Sequence, residues 1–204
     1  MYVDQKTIKD DHSPVKELIP YSVTFKDKNI YFRPLRPYDE KAIQDFFYSH
    51  GEETIYQRYL QYVDALPHEV AQARVSVDYN YHMAMAGFDS WTPYAKMICL
   101  GRYTRQDDDT AELGFVVKED YQSHGIGNYL CECLVRAAQR HGLKKLFAYV
   151  SRSNIVMLRI LEKHGFTAKE SKRVEGYYCV RNITPEKGVP LPFLDKAEES
   201  PVPS

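Results

Sequence analysis

The stretch Ala111–Gln139, AELGFVVKEDYQSHGIGNYLCECLVRAAQ, decides the fold. AELGFVV is apolar and β-branched enough to predict a strand. KEDYQSHG is polar and turn-forming. Ile126, Tyr129, Leu130, Cys133, Leu134, Ala137 and Ala138 then recur at steps of three and four, which draws one apolar stripe along a helix. Arg136, Arg140 and His141 bring positive charge to the end of that helix, and Gly142 stops it.

The loop between strand and helix has a chemical use. The first amides of a helix lack intrahelical acceptors, and the helix dipole favours negative charge beside them. Gly125 and Gly127 remove side chains from the approach. Gln122-Ser123-His124-Gly125-Ile126-Gly127 is therefore a candidate diphosphate cradle. The loop alone reads equally well as a ligand-free glycine turn. No GK[ST] follows it, and the spacing is not GxGxxG.

Upstream, Ile30–Leu35 reads as a strand, and Pro37-Tyr38-Asp39 opens a helix with Ala42, Ile43, Phe46 and Phe47 on its apolar face. Glu52–Tyr62 is a second helical piece, and Pro67 starts a third. The aromatic residues from Phe46 to Tyr62 suit a core better than a ligand tunnel. Tyr81–Phe88, Ala95–Thr104 and Ala111–Lys118 form a meander of strands, with Arg105–Thr110 as a turn. Asp107, Asp108 and Asp109 in that turn read as a solvated bend rather than a metal site. Downstream, Lys145–Val150 is a strand, Asn154 opens a helix ending at Lys163-His164-Gly165, and Phe166–Lys172 and Tyr177–Arg181 are two more strands. The order gives a mixed α/β (α+β) sheet with helices on both faces. VKELIPYSVTF reads as either a strand or an arm, which divides the chain into an N-terminal extension at 1–29, one domain at 30–183 and a Pro-rich polar tail at 184–204.

The chain has 204 residues, enough for one domain with a substantial core. A net charge of −1 argues against nucleic acid as the main partner, and no apolar run approaches a membrane span. Cys99, Cys131, Cys133 and Cys179 form no CxxC, and the charged start MYVDQKTIKDD does not read as a signal peptide. Reduced thiols in a cytoplasmic protein are the simpler expectation.

AELGFVVKEDYQSHGIG followed by SNIVMLRILEKHGF resembles the paired central motifs of the GNAT superfamily of acetyl-CoA-dependent N-acetyltransferases. Gln122, Gly125 and Gly127 fit its Gln/Arg-x-x-Gly-x-Gly/Ala loop. Farther upstream, YFRPLRPYDEKAIQDFFYSHGEETIYQRYL is similar to the opening of the bacterial protein-lysine acetyltransferase branch. The resemblance implies a mostly antiparallel sheet of about seven strands, with one splayed parallel pair whose gap leaves backbone free for pantetheine. It implies acetyl-CoA as co-substrate, no metal, and an amine acceptor, with a protein lysine favoured over a polyamine, amino acid or antibiotic. A non-catalytic acetyl-CoA sensor is the competing class. The backbone of Val116 and Val117 would hold pantetheine, and Ser123, His124, Gly125, Ile126, Gly127 and Asn128 would supply the diphosphate amides.

Acetyl transfer also needs a neutral amine, while a lysine of pKa ≈ 10.4 is protonated near pH 7. Strand alternation puts Leu113, Phe115 and Val117 on one face and Glu112, Gly114 and Val116 on the other. An acid in so apolar a strand is costly if it merely faces core. Glu112 also matches the glutamate general base of the lysine-acetylating branch, with a surface or ion-paired role as its alternative. His124 titrates in the right range, but its loop position suits phosphate contact or exposure better. The N–H of Val116 would serve the oxyanion. Asn154 matches an asparagine that bonds the pantetheine region, and it also suits a helix N-cap. Where many members carry a tyrosine acid this chain has Leu161, leaving Tyr149, Tyr177, Tyr178 or water as donors.

Overall fold

The computed structural model describes residues 21–186. One sheet of eight strands runs in the order β1-β2-β3-β4-β5-β6-β8-β7. The strands are β1 Tyr21–Phe25, β2 Lys28–Pro34, β3 Met83–Phe88, β4 Met97–Arg105, β5 Thr110–Val117, β6 Lys145–Ser151, β7 Thr167–Glu170 and β8 Gly176–Asn182. All neighbours pair antiparallel except β5 and β6, which are parallel. The helices are α1 Glu40–Tyr48, α2 Glu52–Tyr59, α3 His68–Val75, α4 Ile126–Arg140 and α5 Ile155–Lys163.

The strand beyond the expected seven is β1, which the sequence left open between strand and arm. It pairs with β2 from Tyr21↔Phe32 to Phe25↔Lys28, so the sheet reaches back past the boundary set at residue 29. Tyr21 and Val23 point into the core, which supplies the burial that a short edge strand needs. The expectations for residues 1–20 and for the tail from residue 187 lie outside the described residues. α2 stops at Tyr59, earlier than expected, because Leu60 turns to φ +56 and ends it.

Two apolar clusters sandwich the sheet. Above it, α4 and α5 press Ile126, Leu130, Leu134 and Leu161 onto Leu113, Val117, Leu146 and Ala148. Below it, α1 and α3 bring Ile43, Phe46, Phe47, Ala71 and Val75 against Ala84, Ala86 and Leu100. The aromatic stretch of α1 and α2 divides: Phe46 and Phe47 are core, whereas Tyr48 and Tyr62 are exposed. Asp107 braces its turn by accepting from the N–H groups of Asp109 (2.9 Å) and Thr110 (2.7 Å). All four cysteines are buried free thiols, and burial pushes Cys131 up to about 12 and Cys179 up to about 11. Cys131 is covered as fully as Cys133, although it lies off the predicted stripe.

The lower face also holds one closed ion pair. Arg33 grips Asp39 through two bonds of 2.6 and 2.7 Å, and the Arg36 N–H adds a third at 2.7 Å. Asp39 is 4% exposed. The Arg33 guanidinium lies 4.2 Å from the centre of the Phe88 ring.

Candidate active site

β5 and β6 pair only from Thr110↔Lys145 to Glu112↔Phe147. Past Glu112 they part: β5 stays with β4 as far as Val117, and β6 stays with β8 as far as Ser151. Register decides which groups this fork frees. The Lys118 N–H bonds Ile98 O and the Gln106 N–H bonds Thr110 O, each at 2.9 Å. Bonded and non-bonded pairs alternate along an antiparallel ladder. Glu112, Gly114 and Val116 therefore turn their main-chain groups to β4, while Leu113, Phe115 and Val117 turn theirs into the fork. This corrects the expectation for Val116, whose N–H and C=O face Leu100 on β4. Val117 does lie on the open edge, but its carbonyl accepts from Gln122 Nε2 at 3.0 Å.

The loop follows. Gly125 has φ +94, a conformation that strains any residue with a Cβ. Gly127 is bare for a different reason: a Cβ there would sit 3.0 Å from Ile160 Cδ1, so its bareness brings α4 close to α5. The first helical bond outside α4 runs from the Tyr129 N–H to Gly125 O at 3.1 Å, leaving the amides of Ile126, Gly127 and Asn128 without backbone acceptors. Asn128 Oδ1 is buried and has no hydrogen-bond partner. Ser123, at φ +61, gives its carbonyl to Lys26 Nζ at 3.0 Å.

A cleft of about 1070 Å³ runs from this loop through the fork to the underside of the sheet. It gathers Glu112, Val116, Val117, Asn154 and the loop from Gln122 to Asn128 with one exception. His124 is outside the lining; its ring is held 2.6 Å from the Gln122 carbonyl and 3.6 Å from the Asp27 carboxylate. Asn154 caps α5 by accepting the Met157 N–H at 3.0 Å while it lines the cleft. Leu161 is 1% exposed and points into the upper core. Of Tyr149, Tyr177 and Tyr178, it is Tyr149 that lines the cleft. Glu119 ties the rim to α2, accepting from the Gly51 N–H at 3.1 Å and facing His50 Nδ1 at 3.2 Å. Burial would raise its carboxyl, but hydrogen bonds from Thr54, its own backbone, Gly51 and His50 outweigh that and hold it at about 2.

A nucleotide thioester suits this shape. An extended amide chain finds a free strand edge, and a diphosphate finds unpaired amides on a helix start.

The underside carries residues that sequence reasoning missed. Arg58 from α2, Arg74 from α3 and Arg102 from β4 all line the cleft beside Glu112. The Arg58 guanidinium covers Gly114, where a Cβ would meet Nη1 at 3.0 Å. Arg58 and Arg74 lie 5.5 and 4.8 Å from the centre of the Tyr59 ring. Arg102 Nε is buried without a partner. Burial, then the charges of Arg58 and Arg74, draw Arg102 down to about 10. The three lie far apart in sequence and belong to no motif. The one signal available was Arg102 on the same strand face as Leu100, opposite Gly114.

A family model described as Acetyltransferase (GNAT) domain matches residues 29–167. The acetyltransferase Pat of Mycolicibacterium smegmatis is 28% identical over 137 residues, covering 66% of this chain and 40% of that protein. A putative phosphinothricin acetyltransferase, YwnH of Bacillus subtilis, is 35% identical over 57 residues, covering 28% of this chain and 35% of that protein. The chain thus spans well under half the length of these curated relatives. Among solved structures, the GNAT domain of S. lividans PAT superposes with a TM-score of 0.72 at 21% identity, covering 80% of this chain and 97% of that one. A cAMP-binding acyltransferase from Mycobacterium smegmatis superposes with a TM-score of 0.60 at 24% identity, covering 90% of this chain and 54% of that one. Fork, glycine loop and matched sequence agree, and the chain belongs to the GNAT acetyltransferase domain family.

Proposed function

We propose that this protein is an acetyl-CoA-dependent N-acetyltransferase whose acceptor is a primary amine, foremost a protein lysine. The observation that carries the reading is the fork after Glu112, which joins a free strand edge, the unpaired amides of α4 and the Glu112 carboxylate in a single cleft. The lysine acceptor is supported by the upstream resemblance to the bacterial protein-lysine acetyltransferase branch, and acetyl transfer by the match to the acetyltransferase Pat.

Acetyl-CoA supplies an activated acyl carbon and a thiolate leaving group. The amides of Ile126, Gly127 and Asn128 hold its diphosphate, and the open edge of Leu113, Phe115 and Val117 aligns its amide arm. Fixing donor and acceptor side by side removes several kcal/mol of entropy from the barrier. Glu112 takes the proton that the acceptor ammonium must lose. The main-chain N–H of Phe115, on the open edge, replaces that of Val116 as the donor available to an oxyanion. Tyr149 lines the cleft and Leu161 is buried in the core, so we assign the return of a proton to the leaving sulfur to Tyr149.

The test is direct. The protein is incubated with labelled acetyl-CoA and a panel of lysine-bearing proteins and amines, and mass spectrometry looks for one acetyl group on an amine. Calorimetry with coenzyme A runs beside it, on the wild type and on Gly125→Val. Binding that weakens in the variant, together with labelled lysine, supports the reading. Binding without transfer to any amine points to the sensor, and no binding at all ends both.

A further inference from the structure

We propose that the acceptor amine brings an anion with it, a carboxylate or a phosphate, and that Arg58, Arg74 and Arg102 receive that anion beside Glu112. This rests on the acyl-transfer reading above and adds a requirement on its acceptor.

Three guanidiniums from three separate elements converge on one end of the cleft. Arg58 has the Tyr59 ring as neighbour and no hydrogen bond or ion pair among the described residues. Arg74 donates to the Tyr59 hydroxyl at 3.3 Å, and Arg102 Nε has no partner. The other acids that line the cleft are taken. Glu53 accepts from Gln57 Nε2 at 2.7 Å and Ser153 Oγ at 3.4 Å, and Glu119 is tied to His50 and Gly51. Glu112 is left, and it forms no ion pair within 4.0 Å among the described residues. Beside the three cations, Glu112 is thus the cleft acid not held by hydrogen bonds to other described residues. Where this fold needs a charge under the sheet for structure alone, it closes the pair, as Arg33 and Asp39 show.

Position separates this cluster from the diphosphate cradle. Arg58 covers Gly114, three residues before Val117, and at roughly 3.3 Å per residue that is about 10 Å back along the strand, with the loop still to follow. The arginines therefore stand at the Glu112 end of the cleft.

The chemistry is consistent. A guanidinium presents paired donors that match a carboxylate or a phosphate. A plain alkylammonium would be repelled by three arginines, whereas an amine with its own anion is attracted. The same positive field favours the neutral amine over the ammonium.

The experiment compares matched acceptors. One pair is a lysine peptide with Glu beside the lysine against the same peptide with Gln. The other is a small amine bearing a carboxylate against its primary amide. Thiol release gives kcat/KM for each, and calorimetry on the coenzyme A-loaded protein gives affinity without turnover. In the wild type the anionic member is favoured about ten- to a hundredfold, the worth of a charge-assisted hydrogen bond. Arg58→Gln and Arg102→Gln collapse that ratio toward one, and Arg58→Lys restores part of it. Thermal melts confirm that each variant folds. A preference in the peptide pair alone places the anion on a neighbouring protein side chain, and in the small pair alone on the amine itself; either supports the proposal. Equal affinity for both members in the wild type overturns it, as does a ratio that survives both glutamine variants. A fall in kcat of the same size for every acceptor also overturns it, by assigning the arginines to the reacting atoms. Failure of transfer to any amine sinks the enzymatic reading, while the affinity ratio still decides this one.

Discussion

Two charged clusters lie under the same sheet and differ in one respect. At Arg33 and Asp39 each formal charge meets its opposite, with a main-chain N–H completing the set. At Arg58, Arg74 and Arg102 the charges crowd together and face open space. A buried pair is held by its own geometry, and breaking it leaves a bare ion in low dielectric. A buried cluster of like charge is held by the rest of the fold and costs stability until something else arrives. The first cluster fixes β2 to the start of α1. The second keeps a place for a ligand.

The contrast can be broken at its strongest point first. Glu112 is the acid in the open cluster, and Glu112→Gln is expected to lower kcat by roughly 10²–10⁴, as loss of a general base does. Coenzyme A affinity should hold, because the diphosphate amides lie elsewhere; a fall of less than threefold in thiol release would remove Glu112 from that role. Asp39→Ala comes next. It strands Arg33 and should cost about 3–5 kcal/mol in urea unfolding. A loss below about 1 kcal/mol would show that the closed pair is not what holds this corner. The open cluster should respond with the opposite sign. Arg102→Met removes one repelling charge and should raise stability by about 1 kcal/mol, at the expense of acceptor use.

The smallest effect extends the comparison above the sheet, where a third group stands beside two cations and stays neutral. Burial first, then Arg105 and Arg140, pull His141 down to about 4, and Tyr103 hydrogen-bonds its ring. The unfolded chain takes up that proton near pH 6.5, the folded one only near 4. Stability is therefore lost as pH falls from about 6.5 to about 4. Urea midpoints at pH 7 and pH 5 should converge in His141→Gln relative to wild type.

Much of the fold was legible because local pattern and final packing agree. The stripe on α4, the stop at Gly142 and the alternation of Leu113 against Glu112 each follow from a period that burial enforces. β1 was not legible, since Tyr21–Phe25 is a short edge strand that becomes one by pairing with β2. The loop was legible, but the two reasons for its glycines were not. Gly125 answers to a backbone angle, and Gly127 to a side chain on α5. The free backbone groups of β5 came out at Leu113, Phe115 and Val117 because ladder parity depends on a partner strand distant in sequence. The arginine cluster was invisible for the same reason: it exists once α2, α3 and β4 have met.

The buried cysteines have a practical consequence. With every sulfhydryl of the polypeptide shielded and its ionisation suppressed, a disulfide dye should stay colourless in the presence of the native protein. Colour would then report coenzyme A set free by turnover, and in its absence would time the moments at which the core opens.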